Sequence, residues 1–152
     1  MFAMDSIYCR SATFTDLPEI LNIEKICYSN PWNMDHFRDE FISPFSLVTV
    51  ICIGNIITGY AAAALIFDEL QIRNICISPD FRRKGLGEKL LNFLIDRARS
   101  ENAKMVLLEV RESNIAAISL YIKTGFHIDY KRKKFYSDGE TGLAMSLKLS
   151  SH

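Results

Sequence analysis

The sequence predicts a mixed α/β sheet with helices on its faces. Apolar stripes at helical spacing, such as Leu90, Leu91, Leu94, Ile95 and Ala98, alternate along the chain with short β-rich runs. Turn residues separate these segments at lengths that suit single helices and strands. The resulting order is β-α-α-β-β-β-α-β-α-β-β, which interleaves the two element types in the manner of a sheet covered by helices.

The first strand is expected over 6–11. Thr13 or Thr15 can cap a helix through Leu17, Ile20, Leu21 and Cys27, whose spacing makes one apolar stripe. Glu24 falls on that stripe, either at its solvated edge or turned toward a cleft. Pro31-Trp32-Asn33 interrupts the chain, and Asn33 can cap a second helix over 34–41. The β-rich runs 46–53 and 56–65 meet at Gly54-Asn55, a two-residue hairpin signal. A further strand over 69–77 stops at Ser78-Pro79, because proline cannot donate to a ladder. A strong amphipathic helix is expected over 87–101, with its charged residues mostly off the apolar face. A short apolar strand, 105–110, precedes a helix capped by Ser113 or Asn114 and closed at Gly125. The last strands, 126–133 and 143–148, flank a turn at Asp138-Gly139.

With 152 residues and 17.4 kDa, the chain suits one domain over 1–152. It shows no repeat, low-complexity segment or linker. Lys plus Arg and Asp plus Glu number 18 each, a balance unlike that of proteins that coat nucleic acid or anionic membranes. No direct nucleic-acid or membrane partner is expected, and any bound anion needs a local cationic cluster. The N-terminal segment carries Asp5 and no long apolar run, so neither a leader nor a membrane span is expected there. Cys9, Cys27, Cys52 and Cys76 are scattered, without C-x-x-C spacing or a ligand pattern with the histidines. Reduced, mostly buried thiols, no metal and a cytoplasmic location are the expectation.

The most informative stretch is Ile75-Cys76-Ile77-Ser78-Pro79-Asp80-Phe81-Arg82-Arg83-Lys84-Gly85-Leu86-Gly87. It runs from a strand through a basic, glycine-punctuated turn into a helix. The first helical N–H groups lack intrahelical partners and the dipole there favours an anion. Gly85 and Gly87 let backbone approach a pyrophosphate, and Arg82, Arg83 and Lys84 add charge. A solvated basic turn would carry the same residues. A Walker A loop is excluded by the lack of Gly-Lys-Ser/Thr, and the Rossmann pattern lacks its third glycine.

Arg82-x-x-Gly85-x-Gly87 resembles motif A of the GNAT acyl-CoA N-acyltransferases, Arg/Gln-x-x-Gly-x-Gly/Ala. The block Leu108-Glu109-Val110-Arg111-Glu112-Ser113-Asn114, continuing through Tyr121 to Gly125-Phe126, resembles the N-terminal protein acetyltransferases. Among them it is most similar to the ribosomal-protein-alanine (RimI) type and the archaeal Nα-acetyltransferases. Pro31-Trp32 and Lys134-Phe135-Tyr136-Ser137-Asp138-Gly139-Glu140 match the same group, so the resemblance spans nearly the whole chain. It departs from the group's pattern where Phe135 replaces one of two tyrosines and Thr141 a common acidic residue.

The resemblance implies the GNAT fold, a mixed, mostly antiparallel sheet of about seven strands and four helices, splayed to admit acetyl-CoA. It implies that the turn, with Leu86 and Glu88 at the helix start, holds the pyrophosphate. It also implies that backbone at Ile75, Cys76 and Ile77 meets the pantetheine and thioester, and that the Asn114 amide contacts the pantetheine arm. Asn114 is equally a helix cap, and the two roles are compatible. Glu109 sits in an apolar run, where an unused charge is costly, and alternation places it opposite Leu108 and Val110. By resemblance it is the general base, and Tyr121 the acid for the CoA thiolate. Tyr28, Trp32 and Tyr136 are candidate walls of a peptide groove. A covalent acetyl-Cys76 route lacks a neighbouring histidine in sequence, and direct transfer is expected.

The function expected is acetyl transfer from acetyl-CoA to the N-terminal amine of a protein, possible acceptors including a ribosomal protein. A small amine, polyamine or lysine acceptor, or a non-catalytic acetyl-CoA sensor, are the alternatives. The basic run Lys131-Arg132-Lys133-Lys134 reads either as a solvated strand end or as an attraction for an acidic protein or ribosomal surface.

Overall fold

The computed structural model describes residues 6–149. Strands β1 (Ile7–Ser11), β2 (Ser46–Ile53), β3 (Ile56–Ile66), β4 (Glu69–Ile77), β5 (Met105–Arg111), β6 (His127–Arg132) and β7 (Gly142–Lys148) form one sheet in the order β1-β2-β3-β4-β5-β7-β6. Helices α1 (Leu17–Cys27), α2 (Met34–Ile42), α3 (Leu86–Ser100) and α4 (Ile115–Thr124) complete it. This is the predicted order, and the boundaries differ from the sequence expectation by only a residue or so at most ends. The first helix differs most. Thr13 starts a 3-10 turn, Phe14–Asp16, whose Asp16 carboxylate accepts from the Thr13 N–H at 2.8 Å, and α1 follows with Pro18 in its first turn.

The sheet separates two cores. On one face the α3 stripe, Leu90, Leu91, Leu94, Ile95 and Ala98, packs with Leu70, Ile72, Val106, Leu108 and Val110. On the other, Leu17, Ile20 and Ile23 of α1 and Phe37 of α2 pack with Val48, Val50, Cys52 and Tyr60. Each buried Leu or Ile side chain contributes about 1.5–3 kcal/mol by leaving water. Strand β2 feeds both cores by strict alternation, Ile51 and Ile53 on one side and Val50 and Cys52 on the other.

Two irregularities position the site. Strand β4 pairs with β5 in parallel only over Glu69–Ile72 and Met105–Leu108, so the two strands part beyond Ile72 and Leu108. Against β3, the register shifts between Ala62 and Ala63, which leaves Arg73 as the extra residue of a β-bulge. Before the bulge, Ile72 enters the α3-side core; after it, Cys76 enters the α1-side core. The bulge therefore inverts which β4 side chains face which helices.

One expectation is corrected. Cys27 at the end of α1 and Cys76 of β4 form a disulfide, while Cys9 and Cys52 are free. The pairing spans 49 residues and arises because α1 packs across the bulged end of β4, which spacing in the sequence does not report.

Candidate active site

The opening between β4 and β5 leads into two cavities. The first, about 700 Å³, lies against the start of α3 and is lined by Ile75, Cys76, Ile77, Arg82, Arg83, Gly85, Leu86, Gly87, Glu88, Asn114 and Tyr121. Of the residues expected to hold acetyl-CoA, only Lys84 is not brought to it. Cys27, Phe81 and Leu120 also line it without having been expected to, and so does Tyr28, expected as a wall of the peptide groove. The second cavity, about 390 Å³, contains Glu109 with Tyr28, Trp32 and Tyr136, the candidate groove walls. Tyr28, Ile75, Asn114 and Tyr121 border both cavities. These four mark where the spaces adjoin.

The first cavity fits a pyrophosphate-bearing ligand. The first α-type bond of α3 runs from the Lys89 N–H to the Gly85 carbonyl, leaving the preceding helical amides without intrahelical acceptors. Gly85 has φ +77°, and a Cβ there would meet no atom within 4 Å, so the open side faces the cavity rather than protein. Arg82 is fixed by its Nε donating to the Ile77 carbonyl at 3.0 Å. Tyr28 donates its hydroxyl to the Ile75 carbonyl at 2.8 Å, and burial pushes its pKa up. A strand residue directs its N–H and C=O to the same edge. The Ser78 N–H bonds β3 at the Thr58 carbonyl, whereas the carbonyls of Ile75 and Ile77 serve side chains on the open edge. By that alternation the N–H groups of Ile75 and Ile77 face the opening, and that of Cys76 faces β3.

Asn114 caps α4 by accepting from the Ala117 N–H at 3.2 Å, which leaves its amide nitrogen for the cavity. Tyr121 is buried, packs on Phe126 at 5.7 Å, and is pushed up to about 12 by desolvation and by neighbouring Tyr136. Glu109 faces away from Leu108 and Val110, as alternation requires, and pairs with Arg132 at 3.2 Å. The basic run is exposed along its length, and within it Arg132 meets Glu109 and Lys131 meets Glu112 at 2.9 Å.

The loop between β6 and β7 is held over the second cavity by two arginines. Arg111 lies over the Tyr136 ring at 4.2 Å and pairs with Asp138 at 2.8 Å and Glu140 at 2.9 Å. The Glu140 carboxyl is held below its usual range by the Ser113 N–H and Arg111. Arg132 lies over Phe135 at 4.3 Å, and Phe135 meets Tyr136 edge-on. Trp32 stacks its ring on His36 at 4.8 Å, and its backbone N–H donates to Glu24 at 2.8 Å. Glu24 is turned toward the cleft and not the solvated edge: it is 1% exposed and lines the second cavity.

Residues 17–126 match the Acetyltransferase (GNAT) family. The chain belongs to this family. The GNAT chain is 34% identical to the [Ribosomal protein bS18]-alanine N-acetyltransferase of Escherichia coli (strain K12) over 139 residues, 90% of its own length and 93% of that protein. The crystal structure of the ribosomal-protein-S18-alanine N-acetyltransferase from Escherichia coli superposes with a TM-score of 0.90 at 32% identity, covering 97% of this chain and 96% of that one. The same GNAT fold recurs in Arabidopsis thaliana Naa50 in complex with the bisubstrate analogue CoA-Ac-MVNAL, with TM-score 0.84 and 19% identity over 95% of this chain and 99% of that one. The chain is an N-acetyltransferase whose seven-stranded open sheet is the expected GNAT sheet.

Proposed function

We propose that this enzyme transfers acetyl from acetyl-CoA to the α-amine of a protein N-terminus, in the manner of the ribosomal-protein-alanine type, with a ribosomal protein as acceptor in the cytoplasm. The observation that carries this is the pair of adjoining cavities, one built around an anion-binding helix start and the other around a carboxylate and aromatic walls. The names of the E. coli relatives support the acceptor class.

Acetyl-CoA supplies an activated thioester. The open helix start and Arg82 bind its pyrophosphate. The N–H groups of Ile75 and Ile77 orient and polarise the carbonyl, a form of charge stabilisation that is preorganised by the bulged strand. Glu109 takes the proton shed by the amine, directly or through water. An α-amine near pKa ~8 is partly neutral at physiological pH, so a carboxylate suffices where a lysine at ~10.4 would demand more. Tyr121 is the donor to the departing sulfur. Its pKa of about 12 keeps it protonated throughout the working range, and makes full transfer to a thiolate near ~8.5 uphill by roughly 5 kcal/mol. Tyr121 therefore acts as a fixed hydrogen-bond donor to sulfur, and the proton released by the amine closes the balance. Holding amine and thioester together supplies a further ~7–11 kcal/mol of barrier reduction.

The test is acetyl-CoA-dependent mass gain on Ala-, Ser- and Met-initial peptides beside matched N-blocked peptides with internal lysines. Gain on free N-termini alone is expected. Gain on the blocked lysine peptides alone would overturn the reading.

A further inference from the structure

Glu24 is a buried carboxylate for which the chemistry above has no use, yet both its oxygens are engaged. One accepts from the Tyr60 hydroxyl and, at 2.7 Å, from the Asn74 amide; the other accepts from the Trp32 N–H at 2.8 Å. A single side chain of α1 thus ties together β3, β4 and the α1–α2 loop. Asn74 also gives its amide nitrogen to the Tyr60 hydroxyl at 3.3 Å. A carboxylate only accepts, so the amide is oriented with nitrogen toward Glu24 and its carbonyl oxygen turned away. Among the described residues no donor meets Asn74 Oδ1, and Asn74 lines the second cavity with Glu109. The bulge at Arg73 is what turns Asn74 to the α1 face of the sheet, the face Glu109 also takes. The two residues stand on β4 and β5 just past the last paired positions, Ile72 and Leu108.

We propose that Asn74 Oδ1 accepts a hydrogen bond from the acceptor's α-amine, and that Glu24 is the positioning residue that aims it. This rests on the Nα-acetyltransferase reading. A neutral primary amine has two N–H bonds and one lone pair. With one N–H directed to Glu109 and the other to Asn74, the lone pair is left facing the thioester, which is the orientation attack requires. Asn74 Oδ1 is a side-chain acceptor of fixed direction because the amide nitrogen is committed to Glu24 and Tyr60.

The experiment measures kcat/KM on an Ala-initial peptide and on its N-methylalanyl counterpart, with KM for acetyl-CoA as the control for an intact fold. An N-methylated amine has one N–H and cannot serve both acceptors. Asn74→Ala is expected to lower kcat/KM on the Ala peptide about 10–100-fold while acetyl-CoA KM stays within about twofold. It should also shrink the wild-type preference for Ala over N-methylalanine about tenfold. Glu24→Gln offers one acceptor and an extra donor to a set of donors, so Asn74 loses its aim and a similar fall is expected. The double variant should be no worse than the poorer single variant, since both act on one contact. Wild-type kcat/KM in Asn74→Ala, an unchanged Ala to N-methylalanine ratio, or multiplying losses would each overturn the proposal. The ratio decides it even if Glu24→Gln does not fold. A wild-type enzyme silent on free N-termini would instead overturn the Nα reading, and this proposal with it.

Discussion

In the proposed mechanism Glu109 takes the amine proton and Tyr121 donates a hydrogen bond to sulfur, and each side chain meets a different environment. Glu109 lies at the mouth of the acceptor cavity in reach of Arg132, whereas Tyr121 is enclosed between Phe126 and the cavity junction. Glu109→Gln keeps the shape and removes the base, so kcat should fall about 10²–10⁴-fold with acetyl-CoA affinity unchanged, as read by steady-state kinetics and titration calorimetry. The pH profile separates the tyrosine from the amine. Activity needs a neutral amine and a protonated Tyr121; the amine condition is met as pH rises through ~8, and the tyrosine condition fails only above its raised pKa of about 12. The expected kcat/KM therefore rises through pH ~8 and stays level to pH ~10.5. A descending limb near 10 would place Tyr121 at its ordinary value and contradict its burial. That Glu109 and Tyr121 would line the cavities was legible, because a charge inside an apolar run and a motif tyrosine stand out locally. Asn74 and Glu24 were not, because their chemistry exists only once α1, β3 and β4 meet.

At the scale of elements, the β6–β7 loop is a lid pinned by cation–aromatic stacking and seated on the first residue of β7. A Cβ at Gly142 would lie 3.0 Å from Phe135 Cδ2 and 3.3 Å from Tyr136 Cε2, so the side chain above must shift. Gly142→Ala is expected to raise peptide KM about 3–10-fold through misplacement of Tyr136, with acetyl-CoA KM unmoved. Equal rises in both would mean that the loop serves the whole sheet rather than the acceptor cavity. The helix α3 was readable in advance because its stripe is local. The bulge at Arg73 was not readable from the residues alone, since a bulge is a mismatch between two strands and needs both to be seen. The pairing of Arg132 with Glu109 was hidden for the same reason: 23 residues and one sheet crossover separate them.

For the whole molecule, the Cys27–Cys76 bridge closes a long loop across the cofactor side of the sheet. Closing about fifty residues removes unfolded-state freedom worth roughly 4 kcal/mol in the chain-entropy model. The double variant Cys27→Ser/Cys76→Ser should therefore have a lower unfolding midpoint in urea than the oxidised protein, and dithiothreitol should shift the wild type toward it. Bridged to Cys27, Cys76 offers no free thiol for an acetyl-cysteine, and the variant is expected to keep acetylating peptides, as direct transfer requires. No helix among the described residues is long and apolar enough to cross a membrane. By itself the sequence determined the element order, the basic glycine-punctuated turn at the start of α3, the family resemblance and the two candidates for proton transfer, because periodicity, turn chemistry and motif spacing are encoded over short stretches of chain. Tertiary structure alone decided the splay of β4 from β5, the bulge that reorients Asn74, the buried carboxylate behind it and the disulfide. Each depends on which distant segments are brought into contact, and the free energy that selects those contacts comes from packing two helical layers onto one twisted sheet.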